Sequence, residues 1–150
     1  MIDRTKIEES VKEYIHGTGL FLVAVKVSSS NKITVLADTK KGITIDECAL
    51  LHRHIEKGFD REVEDFELQV SSPGLDTPFS VIEQYYKNEG QKVSVVDNEG
   101  SKYTGILINV TKGGFDLETE IKVKGKSKEV KDIPFNFDQI KSTRIVLTIT

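Results

Sequence analysis

Apolar residues near the start of the chain, Ile7, Val11, Tyr14 and Ile15, recur at helical spacing. Thr5 and Glu8 stand at capping-box spacing, in which each side chain satisfies a backbone donor left open at a helix start. Gly17 and Gly19 end the predicted helix. Residues 20–27 are almost continuously apolar, which predicts a strand buried on both faces. A Ser28-Ser29-Ser30-Asn31 turn leads to a second strand, where Ile33, Val35 and Ala37 alternate with outward positions. Thr44 and Glu47 repeat the capping-box spacing. Cys48, Leu51 and Ile55 then share one helical stripe, with Phe59 a turn later, and residues 66–71 read as a third strand. The order α-β-β-α-β predicts an α+β fold with helices on one face of a three-stranded sheet.

Beyond residue 80 the pattern changes. Residues 81–86 predict one or two helical turns, and short strands then alternate with turn signals. Asp97-Asn98-Glu99-Gly100 separates a strand at 92–96 from one at 102–110. Lys112-Gly113-Gly114 separates the latter from 115–123, and Gly125-Lys126-Ser127 forms a further turn. Residues 136–140 predict one 3-10 turn, and 145–149 a closing strand. Five short strands with a 3-10 turn before the last predict a small SH3-like β-barrel, whose closure would shield Val- and Ile-rich edges from other chains. The expected organisation is an α+β domain over residues 1–80 and an all-β barrel domain over 81–150, joined between residues 75 and 90.

Charge sharpens this division. Residues 1–80 hold ten basic and fourteen acidic side chains, a net of -4, whereas residues 81–150 carry a net of +1. A formal charge of -3 for the whole chain argues against a protein that grips nucleic acid with its entire surface. The longest apolar run, residues 20–25, is far shorter than the ~20 residues of a membrane helix. The charged segment Asp3-Arg4-Thr5-Lys6-Ile7-Glu8-Glu9 lacks the apolar core of a secretory signal. A single cysteine, Cys48, makes neither an internal disulfide nor a cysteine-rich zinc site. A soluble, cytoplasmic protein is expected.

Catalytic patterns are weak. Ser71 and Ser72 precede Pro73-Gly74, but no glycine stands before them at the offset of a nucleophile elbow. Ser72 reads instead as the end of a strand, with Pro73 and Gly74 as the central pair of a type II turn. Cys48 and His52 lie four apart on one helix, yet no second Cys or His pair accompanies them, so Cys48 reads as a buried thiol on the apolar stripe. An enzyme, a metal and a cofactor are not expected. The notable cluster is basic: Lys122, Lys124, Lys126, Lys128 and Lys131 crowd one short stretch. Lysines on a solvated edge strand block aggregation, and the same lysines form a candidate phosphate contact patch. Taken alone, the pattern favours the solvated edge. No aromatic residue interleaves them, so base stacking is not expected there.

The segment Phe66-Glu67-Leu68-Gln69-Val70-Ser71-Ser72-Pro73-Gly74-Leu75-Asp76 resembles the strand-and-turn signature of the bacterial ribosome maturation factor RimP family. Gly19-Leu20-Phe21-Leu22-Val23, Gly42-Ile43-Thr44-Ile45-Asp46-Glu47-Cys48 and Ile133-Pro134-Phe135 with Ile140 match in the same order, so the resemblance spans essentially the whole chain. It implies an N-terminal α+β domain and a C-terminal SH3-like, Sm-like barrel. It further implies a cytoplasmic, non-enzymatic factor for late assembly of the small (30S) ribosomal subunit. The expected partners are a small-subunit ribosomal protein near the decoding region and adjacent rRNA, met by a monomer with no membrane and no small-molecule substrate. Ser71, Ser72, Pro73, Gly74, Leu75 and Asp76 would form the family's signature turn near the domain junction. Thr77 stands where the family commonly has Arg, and threonine cannot make a guanidinium's bidentate contacts. A rival reading from the barrel is a free-standing Sm-like RNA-binding adaptor acting on messenger or small RNAs. The net negative charge counts against it.

Overall fold

The computed structural model describes residues 2–75, 77–121, 125 and 129–147 of the 150-residue chain. They fall into two compact units, Met1–Pro73 and Gly74–Thr150.

The first unit contains α1 (Arg4–Ile15), β1 (Phe21–Val27), β2 (Lys32–Asp38), α2 (Ile45–Lys57) and β3 (Glu67–Ser71). Its sheet has the order β1-β2-β3, with β1 antiparallel and β3 parallel to the central β2. A parallel neighbour requires a long crossover, and α2 is that crossover. Ile7 and Val11 of α1, Leu51 and Ile55 of α2 and Ile33, Val35 and Ala37 of β2 are buried together in one core.

The capping box at α2 forms as expected: Glu47 N donates to Thr44 Oγ1 at 3.1 Å and Thr44 N to Glu47 Oε1 at 3.0 Å. Buried Asp38 holds the approach to that helix, its Oδ1 accepting from Thr39 N and Ile43 N. At α1 the cap is Asp3, whose Oδ1 accepts from Thr5 N at 2.9 Å, and not Thr5. Asp caps at least as well as Thr. The earlier start also lets Arg4 pair with Glu8 at 3.1 Å, one turn on.

β1 is half-buried along most of its length and exposed at Lys26, which corrects the expectation of burial on both faces. A β-bulge lies between Leu22 and Ala24, so Leu22 opposes Ala37 while Val25 opposes Val35. An extra residue shifts the alternation by one, which lets consecutive apolar residues serve one core.

The second unit contains α3 (Ile82–Lys87), β4 (Lys92–Asp97), β5 (Lys102–Ile108), β6 (Gly114–Ile121), β7 (Glu129–Asn136), a 3-10 turn (Phe137–Gln139) and β8 (Ile140–Ile145). Its five antiparallel strands take the order β7-β6-β5-β4-β8. Among the described residues the end strands β7 and β8 are not paired with each other. The core gathers Tyr85, Val93, Val95, Leu107, Phe115, Leu117 and Phe135.

The last strand starts directly after the 3-10 turn, five residues earlier than the pattern at 145–149 predicts; residues 148 and 149 lie outside the described residues. Lys141, Ser142, Thr143 and Arg144 hide it by their polarity, yet Ser142, Thr143 and Arg144 pair in turn with Val96, Val95 and Ser94. Thr143 is fully buried because its Oγ1 accepts from the Tyr85 hydroxyl at 2.8 Å. Phe79 N donates to Thr143 O at 2.8 Å, and the Phe79 ring packs edge-on against Tyr85. Phe79 therefore packs within the second unit.

Two glycines set how closely strands approach. A Cβ at Gly105 would lie 2.5 Å from Glu118 O, and one at Gly114 would overlap the Phe135 carbonyl, while at Gly113 it would meet nothing within 4 Å. Overpacking of this kind costs about 1–3 kcal/mol. Gly114→Ala is expected to lower the thermal midpoint by roughly 2–12 °C at this chain length. Gly113→Ala should leave it nearly unchanged, with both read by differential scanning calorimetry.

Candidate functional site

The signature segment leaves the first unit from β3, and side chains of α2 and its following loop fix where. Glu67 N donates to Asn31 O at 3.0 Å, so Glu67 faces β2. Strand neighbours point the opposite way, which turns the carbonyls of Phe66 and Leu68 to the open edge. Arg61 Nη1 donates to Phe66 O, and His52 Nε2 lies 3.1 Å from Leu68 O. Arg61 also stacks its guanidinium over the Phe66 ring at 4.2 Å and reaches Glu56 Oε2 at 3.2 Å and Asp65 Oδ1 at 3.3 Å. The hydrogen bond to Glu56 foremost, with Asp65 adding to it, pushes the guanidinium above its ordinary pKa.

The same loop is tied to the β1–β2 turn. Asn31 holds a positive φ of 57°, and its Nδ2 donates to Glu64 Oε2 at 3.1 Å and Asp65 O at 3.2 Å, while its Oδ1 accepts from Ile2 N. The sequence marks Asn31 only as a turn residue. Its tolerance of the left-handed region is the one signal that pointed further.

Ser71 is the last rung of β3, opposite Leu36. Ser72, Gly74 and Leu75 are exposed and Pro73 is half-buried; Asp76 lies outside the described residues. The hydrogen-bonded turn comes two residues later than Pro73-Gly74 predicts: Thr77 N donates to Gly74 O at 3.2 Å, and Thr77 Oγ1 donates to the same carbonyl at 2.6 Å. The Thr77 side chain thus clamps the signature's own backbone.

Of the lysine cluster, Lys122, Lys124, Lys126 and Lys128 lie outside the described residues. Lys131 is exposed on β7, opposite Thr119, whose Oγ1 donates to Lys131 O at 3.0 Å. The other face of this hairpin is acidic, with exposed Glu118 directly opposite exposed Asp132. The alternation of Asp116, Glu118 and Glu120 was the sequence signal for that face.

The remaining candidates have structural occupations. Cys48 is half-buried, and burial first, then Glu47 and Asp38, push its thiol above the ordinary value, the opposite of an activated nucleophile. His54 stacks on Tyr14 at 5.1 Å. Among the described residues, no three His, Cys, Asp or Glu side chains are grouped to hold a metal ion.

Residues 10–76 match the family model for the RimP N-terminal domain, which ends at the last signature residue. A ribosome maturation factor RimP of Porphyromonas gingivalis is 40% identical over 131 residues, covering 87% of this chain and 86% of the relative. The chain belongs to the RimP family. The RimP proteins of Christiangramia forsetii and Flavobacterium psychrophilum are 32% and 30% identical, covering 87% and 85% of this chain and 81% and 76% of theirs. Each carries the name ribosome maturation factor. The RimP N-terminal match takes in all of β1, β2, α2 and β3, together with Asn31 and Arg61.

Arg61→Ala removes the ring contact and the donor to the Phe66 carbonyl. It is expected to speed amide exchange across β3 and leave β4 to β8 unaffected, as read by hydrogen–deuterium exchange. Unchanged exchange at residues 67–71 would show that Arg61 does not hold this edge.

Proposed function

We propose that the chain assists late assembly of the small (30S) ribosomal subunit by non-covalent binding, and that it is not an enzyme. The observation that carries this reading is the 40% identity to a ribosome maturation factor over 87% of the chain. The local chemistry supports it, since burial pushes the Cys48 thiol above its ordinary value and His52 and Arg61 are engaged at backbone carbonyls.

In this reading an α+β domain is followed by an SH3-like, Sm-like barrel domain into which Phe79 packs. Five antiparallel strands, a 3-10 turn before the last and the close approaches at Gly105 and Gly114 support the barrel. The barrel docks a small-subunit ribosomal protein near the decoding region. Lys122, Lys124, Lys126, Lys128 and Lys131 lie over adjacent rRNA phosphates. The signature turn, Ser71, Ser72, Pro73, Gly74, Leu75 and Asp76, marks the domain junction. The excess of acidic residues in the first 80 attracts the basic extensions of ribosomal proteins and repels misplaced RNA. The factor acts in the cytoplasm, as a monomer, without cofactor, metal, membrane or small-molecule substrate.

Co-sedimentation tests the reading. The chain is expected to travel with immature small subunits at low salt, and a chain that stays at the top of the gradient would contradict it. Replacing Lys122, Lys124, Lys126 and Lys128 with Ser should flatten the salt dependence of subunit binding by about 0.7 per lost phosphate contact on single-stranded RNA. An unchanged slope would return these lysines to a solvated edge.

A further inference from the structure

A cleft of about 480 Å³ beside β4 and the 3-10 turn is lined by Asp97, Glu99 and Asp138, and three more clefts on the first unit also carry carboxylates. A fifth, of about 340 Å³, differs in that no carboxylate lines it. It opens between α3, the 3-10 turn and the start of β8, wholly within the second unit. Tyr85 forms its buried floor, and half-buried Phe79, Phe137 and Ile140 form its walls. The rings are locked edge-to-face, with centroids 5.0 Å apart for Phe79 and Tyr85 and 4.9 Å for Tyr85 and Phe137. The Tyr85 hydroxyl is fixed on Thr143, so the floor cannot turn away. Two exposed lysines, Lys112 and Lys141, complete the lining. Among the described residues neither is paired with a carboxylate.

Rigid aromatic walls with two cations and no anion suit a ligand that is flat, apolar on its face and negatively charged beside it. We propose that this cleft takes one unpaired nucleotide of single-stranded RNA, the base against Phe79 and Phe137 and its phosphates met by Lys112 and Lys141. The volume lies at the low end of small-ligand sites, which suits a single nucleotide. Base-on-aromatic contact tolerates any base, so the site recognises an unstacked nucleotide and not a sequence. An acidic peptide would answer the lysines but leave the rings without a planar partner. The inference deepens the assembly-factor reading, on which it rests for the source of the RNA. It uses none of Lys122, Lys124, Lys126, Lys128 and Lys131, since its lining comes from other stretches of chain.

The test is fluorescence anisotropy with the full chain and a labelled, unstructured RNA of about eight nucleotides, the site-size range of such proteins, at about 50 mM salt. Saturable binding is expected. Phe79→Leu, which keeps apolar bulk and removes the ring, should weaken it about 5- to 150-fold. Lys112→Gln with Lys141→Gln, both at exposed positions, should reduce the salt slope by about 1.4. This second variant decides the matter if Phe79→Leu does not fold. An abasic oligomer of equal length should bind more weakly than the RNA, and a polyglutamate peptide should not displace it. Absence of saturable binding, an unchanged slope in the lysine variant, equal binding of the abasic oligomer, or displacement by polyglutamate would each overturn the proposal. Wild-type sedimentation with immature subunits separates the two failures: if it persists while the anisotropy results are negative, the nucleotide site is wrong and the assembly reading stands.

Discussion

The parallel pairing of β3 with β2 is the constraint on which the first unit depends. It commits the chain to a crossover helix, and burying Leu51 and Ile55 of that helix completes the core over Ile33, Val35 and Ala37. It also leaves β3 with an open edge, a liability in any sheet. Here the edge is met by side chains: Arg61 and His52 take the carbonyls of Phe66 and Leu68, two residues apart on the same side of the strand. Anchored in this way, β3 delivers Ser72, Gly74 and Leu75 to solvent from a fixed rung, and Thr77 clamps Gly74 just beyond.

In the second unit the organising contact is the Tyr85 hydroxyl on buried Thr143. Burial pushes the phenol above its ordinary pKa, so it is a neutral donor at physiological pH. That single bond joins α3 to β8 and gives a polar strand a reason to lie in a core. Around it Phe79, Phe115 and Phe137 pack as an aromatic cluster whose outer members stay partly exposed. The cluster is core on its inner side, and its outer side is the surface proposed to stack a base.

Local rules were legible where one residue had one option. Thr44 and Glu47 announced their helix, and Ile33, Val35 and Ala37 announced theirs as a strand, because no competing partner stood nearby. Where two options competed, local pattern misled. Asp3 displaced Thr5 as a cap, a bulge after Leu22 imitated a doubly buried strand, and Thr143 concealed β8 because its partner lies 58 residues away. The signature was legible as a string, yet its hydrogen-bonded turn fell at Gly74 to Thr77 because the Thr77 hydroxyl adds a second bond to the same carbonyl. Neither the capped edge of β3 nor the aromatic cleft could be read from spacing. Each is assembled from residues that only the fold brings together.

In the proposed reading the second unit meets RNA at the cleft beside the 3-10 turn, while the sheet of the first unit serves as scaffold. Hydrogen–deuterium exchange of the chain, free and bound to immature small subunits, tests this most directly. Slower exchange on binding is expected at residues 137–142, with no change at residues 33–37 in the central strand. Unaltered exchange at residues 137–142 of a chain that is demonstrably bound would contradict it.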